Sequence, residues 1–423
     1  MLVGAGWALT VSFVILALSW KNSRFDREAA GRALPTWVDA AVGSRWLRGA
    51  VRAIGLLIAA WTAWAALAGP DSPANPTLGV FYIYLWVGMV PLSLLLGNIW
   101  PLLSPLRTLH LAMTRLVGAA ADSAMRAYPA WLGYWPAAVG LFAFVWTELV
   151  YPRASFVSTV VVWCLLYAAV MLVGSAVFGV GWFERADPFD VWFGMVARLS
   201  VWGRRDGRLV ARNPLVNLAG TPVGRGLVGV VSVLLGSTAY DSFSASNWWV
   251  ERTSAPGTLD PMLRDTLVLA GIVLVVALTF SAAAVLGSKL TGAGRSALPA
   301  LLAHSLVPIA VGYIGAHYLT LLLESGQRYL VYLSDPLVTG RHDYLGTIDW
   351  ETHFFLSVRP GLLAGLKVAL VIAGHVLAVV AVVAVHDRAL RVLPSRAAVT
   401  GQLVMLVVML GYTVGGLLLL FSV

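Results

Sequence analysis

Long apolar runs separated by short polar segments dominate the chain. Ten of these runs are long enough, at about 20 residues, to cross the hydrocarbon core of a bilayer as a helix. The pattern therefore predicts an all-α fold, an integral membrane bundle of about ten transmembrane helices that forms one polytopic domain over residues 1–423. The ten predicted spans are Val3–Trp20, Ala50–Gly69, Leu78–Gly97, Gly133–Val150, Phe156–Phe178, Gly226–Phe243, Thr266–Gly287, Leu298–Leu323, Gly361–Val385 and Ala398–Phe421.

Composition supports this class of protein and excludes others. Of the 423 residues, 59% are hydrophobic and 12% are charged, and the mean hydropathy is +0.82. A soluble protein carries about twice this charged fraction, so a cytoplasmic enzyme and a nucleic-acid-binding module are both excluded. The single cysteine, Cys164, excludes an intramolecular disulfide and a cysteine-based metal site.

The distribution of positive charge predicts an orientation. The loops after the odd-numbered spans, with their flanks, hold 22 of the 29 Lys and Arg residues. Because cytoplasmic loops of membrane proteins are enriched in these residues, both termini are expected outside the cytoplasm. The first span lacks a basic leader and a small-residue cleavage site, which favours a retained helix over a cleaved signal peptide. We expect a multi-pass protein of the plasma (inner) membrane.

Two predicted cytoplasmic segments resemble each other. One reads SPLRTLHLAMTRL over Ser104–Leu116, and the other reads DPFDVWFGMVARL over Asp187–Leu199. Pro105 and Pro188 lie 83 residues apart, and the preceding spans keep the same offset. The offset predicts repeated units, each a helical hairpin followed by a surface helix, with chance similarity of apolar sequence as the alternative. The repeats would cover residues 50–117 and 133–200.

Each copy of the surface segment has the signals of an amphipathic helix. Ser104 or Asp187 can cap the helix, and the proline that follows suits the first helical position. The apolar residues then recur at helical spacing. Both segments are therefore predicted to be cytoplasmic interfacial amphipathic helices, whose partners are the lipid bilayer and its anionic lipids.

Ionisable and polar side chains inside the spans identify candidate functional residues, because such groups are costly in lipid. From a rise of about 1.5 Å per residue, the spacing indicates two depths. An inner pair, His304 and His375, is expected nearer the cytoplasm. An outer group, Tyr313, His317 and Lys367, is expected nearer the outside, and Glu148 of another span is the expected counter-charge for Lys367.

These residues favour a transporter or permease-like protein that binds or relays protons, a small ion or an anionic solute. The alternative is a membrane electron-transfer protein, in which His304 and His375 would hold a b-type haem or form a quinol site. The geometry of a straight helix puts His304 and His317 on different faces, whereas Tyr313 and His317 are four residues apart and share one. Each histidine could also form a plain interhelical hydrogen bond, and Lys367 could extend to the interface.

A second polar cluster lies in the outer loop before the ninth span. The segment RHDYLGTIDWETHFF combines imidazole and carboxylate groups, which suit a divalent metal such as Zn or Mn and would make a membrane-bound metal-dependent hydrolase. Its spacing matches no known metal motif, and an ordinary solvated loop is the competing interpretation. The candidate metal ligands are His342, Asp349, Glu351 and His353.

Five segments carry a resemblance to a known family: FVWTELVYP, TAYDSFSASNWW, AHSLVPIAVGYIGAHYL, SDP and GHVLAVVAVVAVHDRAL, which begin at Phe144, Thr238, Ala303, Ser334 and Gly374. Together they resemble a bacterial family of polytopic membrane proteins, some members of which bear the label fenitrothion hydrolase. The resemblance implies a many-helix membrane fold. It implies no catalytic residue of this chain, and the sequence has no site typical of phosphotriester hydrolysis.

Overall fold

The structure, a computed structural model, describes Trp7, Val11 and residues 31–118, 120, 124–254, 257, 259–290, 298–390 and 395–421. Apart from Trp7 and Val11, the first predicted span, Val3–Trp20, lies outside the described residues.

The described residues between 31 and 211 form nine helices and three short strands. In chain order these are β1 (Arg32–Ala33), α1 (Thr36–Gly43), α2 (Arg45–Ala68), α3 (Pro76–Leu96), α4 (Trp100–Leu103), α5 (Pro105–Leu116), α6 (Trp135–Leu149), α7 (Val157–Phe178), α8 (Val180–Ala186), α9 (Pro188–Ala197), β2 (Trp202–Arg205) and β3 (Arg208–Ala211).

The described residues after 211 form helices joined by loops. They form α10 (Pro214–Leu218), α11 (Leu227–Ser244), α12 (Asn247–Thr253), α13 (Pro261–Leu290), α14 (Leu298–Leu302), α15 (Leu306–His317), α16 (Gly326–Ser334), α17 (Pro360–Leu390) and α18 (Ser395–Leu420).

Seven segments of the described chain are helices long and apolar enough to cross a membrane, which identifies a multi-pass, mostly helical membrane protein. This confirms the predicted fold class, whereas the number of ten spans stays a prediction. Two further apolar helices, Trp135–Leu149 and Val404–Leu420, are shorter. The seven are Arg45–Ala68, Pro76–Leu96, Val157–Phe178, Leu227–Ser244, Pro261–Gly287, Pro299–His317 and Pro360–Val380.

The predicted eighth span, Leu298–Leu323, differs from the observed helix in its continuity and its end. A short 3-10 segment, Ala303–Ser305, separates α14 from α15, and α15 ends at His317. Pro308 has no N–H to donate to the carbonyl of residue 304, so the α-helical hydrogen bond at that point cannot form. His304 therefore lies in an interrupted turn, a feature often found at functional hinges.

The described chain divides into two compact units, and the single polytopic domain stays a prediction. Unit 1 comprises the described residues within 1–31, 212–317 and 361–423, and unit 2 comprises those within 32–211 and 318–360. Unit 1 thus holds α10–α15, α17 and α18. Unit 2 holds α1–α9, α16 and a small antiparallel sheet of order β1–β3–β2, which the hydropathy pattern did not predict.

The β2–β3 hairpin of unit 2 has a turn sequence, Asp206–Gly207, that is typical of tight hairpins. Asp206 and Gly207 both have positive φ, as the two central residues of a tight hairpin turn require. They place Arg205 opposite Arg208 in the β2–β3 register. Asp39 of α1 accepts a hydrogen bond from the Leu209 N–H at 2.9 Å. The sheet therefore fastens the segment before the first long helix to the hairpin.

Residues 83 positions apart make matching contacts in unit 2. The indole of Trp100 lies 5.4 Å from the ring of Phe193, and the ring of Phe183 lies 5.8 Å from that of His110. Adding 83 to Trp100 gives Phe183, and adding 83 to His110 gives Phe193. The two contacts are thus exchanged copies of each other, the pattern that a two-fold arrangement of duplicated segments would produce.

The helices repeat this exchange. In the chain, the long helix α3 comes before the short helix α5, and the long helix α7 comes before the short helix α9. The contacts are exchanged: α5 packs against α7, and α9 packs against the end of α3. Ser104 caps the start of α5, and its hydroxyl accepts a hydrogen bond from the Arg107 N–H. Asp187 caps the start of α9 and accepts one from the Phe189 N–H. The duplication itself stays a prediction, and these contacts support it.

The two short helices differ from the expected lipid-facing helices. On α9, Phe189 and Trp192 of the apolar stripe are fully buried, because the helix packs against neighbouring helices of unit 2. On α5, Met113 and Leu116 are exposed. The expectation that α9 rests its aromatic stripe on lipid is therefore corrected, since an apolar stripe fits a protein neighbour equally well. Lipid contact of α5 stays a prediction.

The orientation can be tested by cysteine labelling. Cysteines introduced at Ser254 and Gly340 are expected to react with a membrane-impermeant maleimide in intact cells, because both lie in loops with few basic residues. A cysteine introduced at Gly207 should react only after the cells are opened. Exposed Cys164 should first be replaced by serine, and that variant serves as the unlabelled control. Labelling of the cysteine introduced at Gly207 in intact cells would show that the predicted orientation is wrong.

Candidate functional site

Four side chains of unit 1 form a continuous hydrogen-bonded chain. The Nε2 atom of His317 lies 2.8 Å from Oδ2 of Asp241, and its Nδ1 lies 3.1 Å from Oγ of Ser242. The Tyr313 hydroxyl oxygen lies 3.2 Å from Oγ of Ser242 and 3.1 Å from the Gly416 carbonyl oxygen, and its single proton can be donated to either. We name Asp241, His317, Ser242 and Tyr313 the polar chain.

Two helices supply the polar chain, and their sequence explains its order. Asp241 and Ser242 are neighbours near the end of α11, and Tyr313 and His317 lie four residues apart on α15. That spacing places both α15 side chains on one face, as predicted, and their rings stack with centroids 6.5 Å apart. Asp241 and His317 are partly exposed, whereas Tyr313 is buried. The chain thus leads from solvent-accessible groups to a buried hydroxyl.

A close helix crossing holds α15 against α17. A Cβ atom on Gly312 would come within 2.6 Å of the Leu370 carbonyl oxygen, and one on Gly374 within 2.5 Å of the Pro308 carbonyl oxygen. Glycine at both positions lets the two backbones touch, as small residues do in membrane helix pairs. Because Tyr313 and His375 directly follow these glycines, the crossing also fixes their positions.

An apolar cavity of about 460 Å³ opens beside this crossing, within unit 1. Tyr313 and His375 lie at its buried side, and Gly271 and Gly411 lie at its exposed side. The last member of the polar chain is thus also a wall of the cavity. Its other lining residues, which come from α11, α13, α15 and α18, are Leu235, Ala239, Val268, Ile272, Val275, Val276, Ile309, Tyr412, Gly415, Gly416 and Leu419.

The two inner histidines have similar local bonding but different surroundings. Nδ1 of His375 lies 2.8 Å from the Val371 carbonyl, and Nδ1 of His304 lies 2.9 Å from the Leu301 carbonyl. Both residues are buried. His375 lines the cavity, whereas His304 is not among the residues lining it. The cavity therefore does not bring the proposed axial pair of a haem together.

Two charged candidates remain, and neither is a member of the polar chain. Lys367 is half-buried on α17 of unit 1, and Glu148 is half-buried on α6 of unit 2. Because these residues belong to different units, their expected pairing stays a prediction. Within unit 1, the carboxylate of Asp241 contacts one of the candidate residues, His317.

The outer loop does not gather the candidate metal ligands. His342, Asp349, Glu351 and His353 are all exposed. Among the residues that the structure describes, no group of three His, Cys, Asp or Glu side chains is placed to hold a metal ion. The loop is instead organised by Asp343, which lies outside that set and accepts hydrogen bonds from the Ser334 hydroxyl and the Thr347 N–H. The Ser334 bond is the main cause of the lowered pKa of Asp343.

A second buried polar group lies in unit 2, where the two similar segments meet. Nη2 of Arg107 lies 2.8 Å from Oδ2 of Asp190, and both side chains are largely buried. Asp187, fully buried, accepts a hydrogen bond from the Tyr167 hydroxyl at 2.9 Å. Burial raises the pKa of both aspartates, and the charge of Arg107 opposes that rise. Arg107 and Asp190 are themselves 83 residues apart.

The Asp241–His317 contact and the Arg107–Asp190 pair each had a signal in the sequence that hydropathy alone does not reveal. Asp241 and His317 both lie near the predicted outer ends of their spans, and this similar depth indicated that they could meet. For Arg107 and Asp190 the sign was the 83-residue offset, which assigns them equivalent positions. Neither sign identifies which helices are neighbours.

Comparison with protein-family models, curated proteins and solved structures gives no match for this chain. The likeness of its five segments to a bacterial membrane-protein family therefore stays a resemblance. The class of protein is set by the apolar helices: a multi-pass membrane protein.

Proposed function

We propose that the protein is a membrane transporter that relays protons through unit 1. The observation that carries this proposal is His317, whose two ring nitrogens contact Asp241 on one side and Ser242 on the other. Histidine is the side chain whose charge changes most readily near neutral pH. A histidine bonded at both nitrogens can take up a proton at one and release the other.

The polar chain gives that proton a route. With a proton on each ring nitrogen, His317 can donate from Nε2 to the Asp241 carboxylate and from Nδ1 to the Ser242 hydroxyl. Hydroxyl groups both donate and accept, so Ser242 can pass its own proton to Tyr313. Tyr313 can take up that proton only as it releases its own hydroxyl proton, which would pass to a cargo molecule in the cavity that Tyr313 lines. A small ion or an anionic solute remains the proposed cargo, and Lys367 supplies a half-buried positive charge in the same unit.

Proton flux into liposomes tests the proposal. The purified full chain is reconstituted with a pH-sensitive dye inside, and a potassium diffusion potential drives protons inward. We expect the wild type to acidify the lumen at least tenfold faster than empty liposomes. His317→Gln should reduce the flux to the background, because glutamine bonds on both sides but does not titrate. Tyr313→Phe should reduce it as well, because it removes the terminal hydroxyl.

A matched control separates relay from folding. His110 is a buried histidine of α5 in unit 2 with no part in the polar chain, so His110→Gln should conduct like the wild type. Circular dichroism and size-exclusion profiles show whether each variant is folded. Wild-type flux equal to that of empty liposomes, or a folded His317→Gln protein with unchanged flux, would reject the proposal.

A further inference from the structure

We propose that the cavity of unit 1 binds a lipid-soluble phenol, whose hydroxyl donates a hydrogen bond to Nε2 of His375. This inference goes beyond proton relay, since it concerns binding at a different side chain. It rests on the bonding state of His375, on the shape of the cavity and on the place where the cavity opens.

The bonding of His375 defines the chemistry of its ligand. A carbonyl oxygen only accepts, so the 2.8 Å contact with Val371 requires the proton on Nδ1. Nε2 of the neutral ring then carries a lone pair and needs a donor. Among the described residues, Nε2 has no hydrogen-bond partner, and the side chain is 2% exposed. A buried acceptor left unsatisfied is destabilising, so a ligand hydroxyl at this atom would be favoured.

The opening of the cavity defines how the ligand arrives. Gly271 and Gly411 lie at its exposed side; Gly271 belongs to the long apolar helix Pro261–Gly287, and Gly411 is near the middle of the shorter apolar helix Val404–Leu420. Gly271 is ten residues from the start of α13, or about 15 Å along a helix that crosses the bilayer. At that depth the surroundings are hydrocarbon, so the ligand enters from the bilayer and must be soluble in it.

The walls favour a flat ring. A Cβ atom added to Gly271, Gly411 or Gly415 would meet nothing within 4 Å, so the cavity owes its width to these glycines. Backbone walls without side chains let a planar molecule lie close. Tyr313 and Tyr412 supply aromatic rings that can meet it edge to face. The volume of about 460 Å³ is within the usual range of small-molecule sites.

Two probes that differ in one hydroxyl test the proposal. The full chain is placed in nanodiscs and titrated with 2-naphthol and with 2-methoxynaphthalene, which has the same rings but no donor, and empty nanodiscs give the background. We expect 2-naphthol to bind the wild type at least tenfold more tightly, because the ether leaves Nε2 unpaired. His375→Phe should remove that preference and bind the two probes equally.

Glycine variants test the position of the site. Gly411→Leu should fill the cavity and abolish binding of both probes. Gly365→Leu, a matched change at an exposed glycine of α17 that does not line the cavity and also has nothing within 4 Å, should bind like the wild type. This comparison decides the matter if His375→Phe fails to fold.

Equal affinity of the wild type for the two probes would show that the cavity accepts hydrocarbon alone, such as a lipid chain, and would overturn the proposal. Unchanged binding by Gly411→Leu would overturn it too. Because binding is measured without a gradient, failure here and failure of the proton-flux experiment are separate results.

Discussion

Replacing Arg107 by methionine is expected to lower the free energy of unfolding by about 3–5 kcal/mol. The change removes one partner of a buried ion pair and leaves Asp190 charged or forced to take up a proton within unit 2. The measurement is thermal unfolding of the purified protein in detergent. Arg115→Met, at an exposed arginine of the same helix, serves as the control and should stay within about 0.5 kcal/mol of the wild type.

The partner variants determine whether the loss belongs to the pair. Combining Arg107→Met with Asp190→Leu should recover stability relative to Arg107→Met alone, since neither charge is then stranded. The exchange Arg107→Asp with Asp190→Arg should also recover part of it, because each residue is the third of its helix and the two positions are equivalent. Double variants as unstable as Arg107→Met alone would argue against the pair.

Adding one methyl group at the helix crossing is the second change with a large expected effect. Gly374→Ala should lower the free energy of unfolding by about 1–3 kcal/mol. The new Cβ would lie 2.5 Å from the Pro308 carbonyl oxygen, and a backbone atom cannot rotate away, so α15 and α17 must separate. Tyr313 and His375 would move with them. Thermal unfolding and 2-naphthol binding should therefore both be impaired.

The same helix provides the control for this experiment. Gly365→Ala should leave stability unchanged or slightly raised, because its Cβ would meet nothing and alanine favours the helix over glycine. The double variant Gly312→Ala with Gly374→Ala should lose less than the two single variants together, since separated helices admit both methyl groups. Additive losses, or a Gly374→Ala protein as stable as Gly365→Ala, would contradict the crossing.

Hydropathy could predict the helices because lipid imposes the same length and composition on every span. It could also predict that Tyr313 and His317 share a face, since helical spacing is local. It could not predict that His317 meets Asp241, because the neighbours of a helix are set by packing. The aromatic stripe of α9 was misread for a related reason: Trp192 is buried, and apolar periodicity does not distinguish lipid from protein.

Other differences were within reach of the sequence. Pro308 is sufficient to interrupt the helix near His304, and the Asp206–Gly207 pair is a strong hairpin signal inside an otherwise helical chain. No local sequence signal of this kind shows whether the four candidate metal ligands come together. Carboxylates and imidazoles in an exposed loop need a backbone that turns them inward, and this loop is organised around Asp343.

The pairing of Arg107 with Asp190 has a consequence for the history of the chain. In a dimer of identical single-repeat proteins, a residue on the symmetry axis meets its own copy, so this position would hold two arginines or two aspartates. Opposite charges at equivalent positions require two copies that can mutate separately, as two repeats of one polypeptide can. If the 83-residue offset records a gene duplication, the ion pair arose after the duplication, and from then on the two repeats were no longer interchangeable.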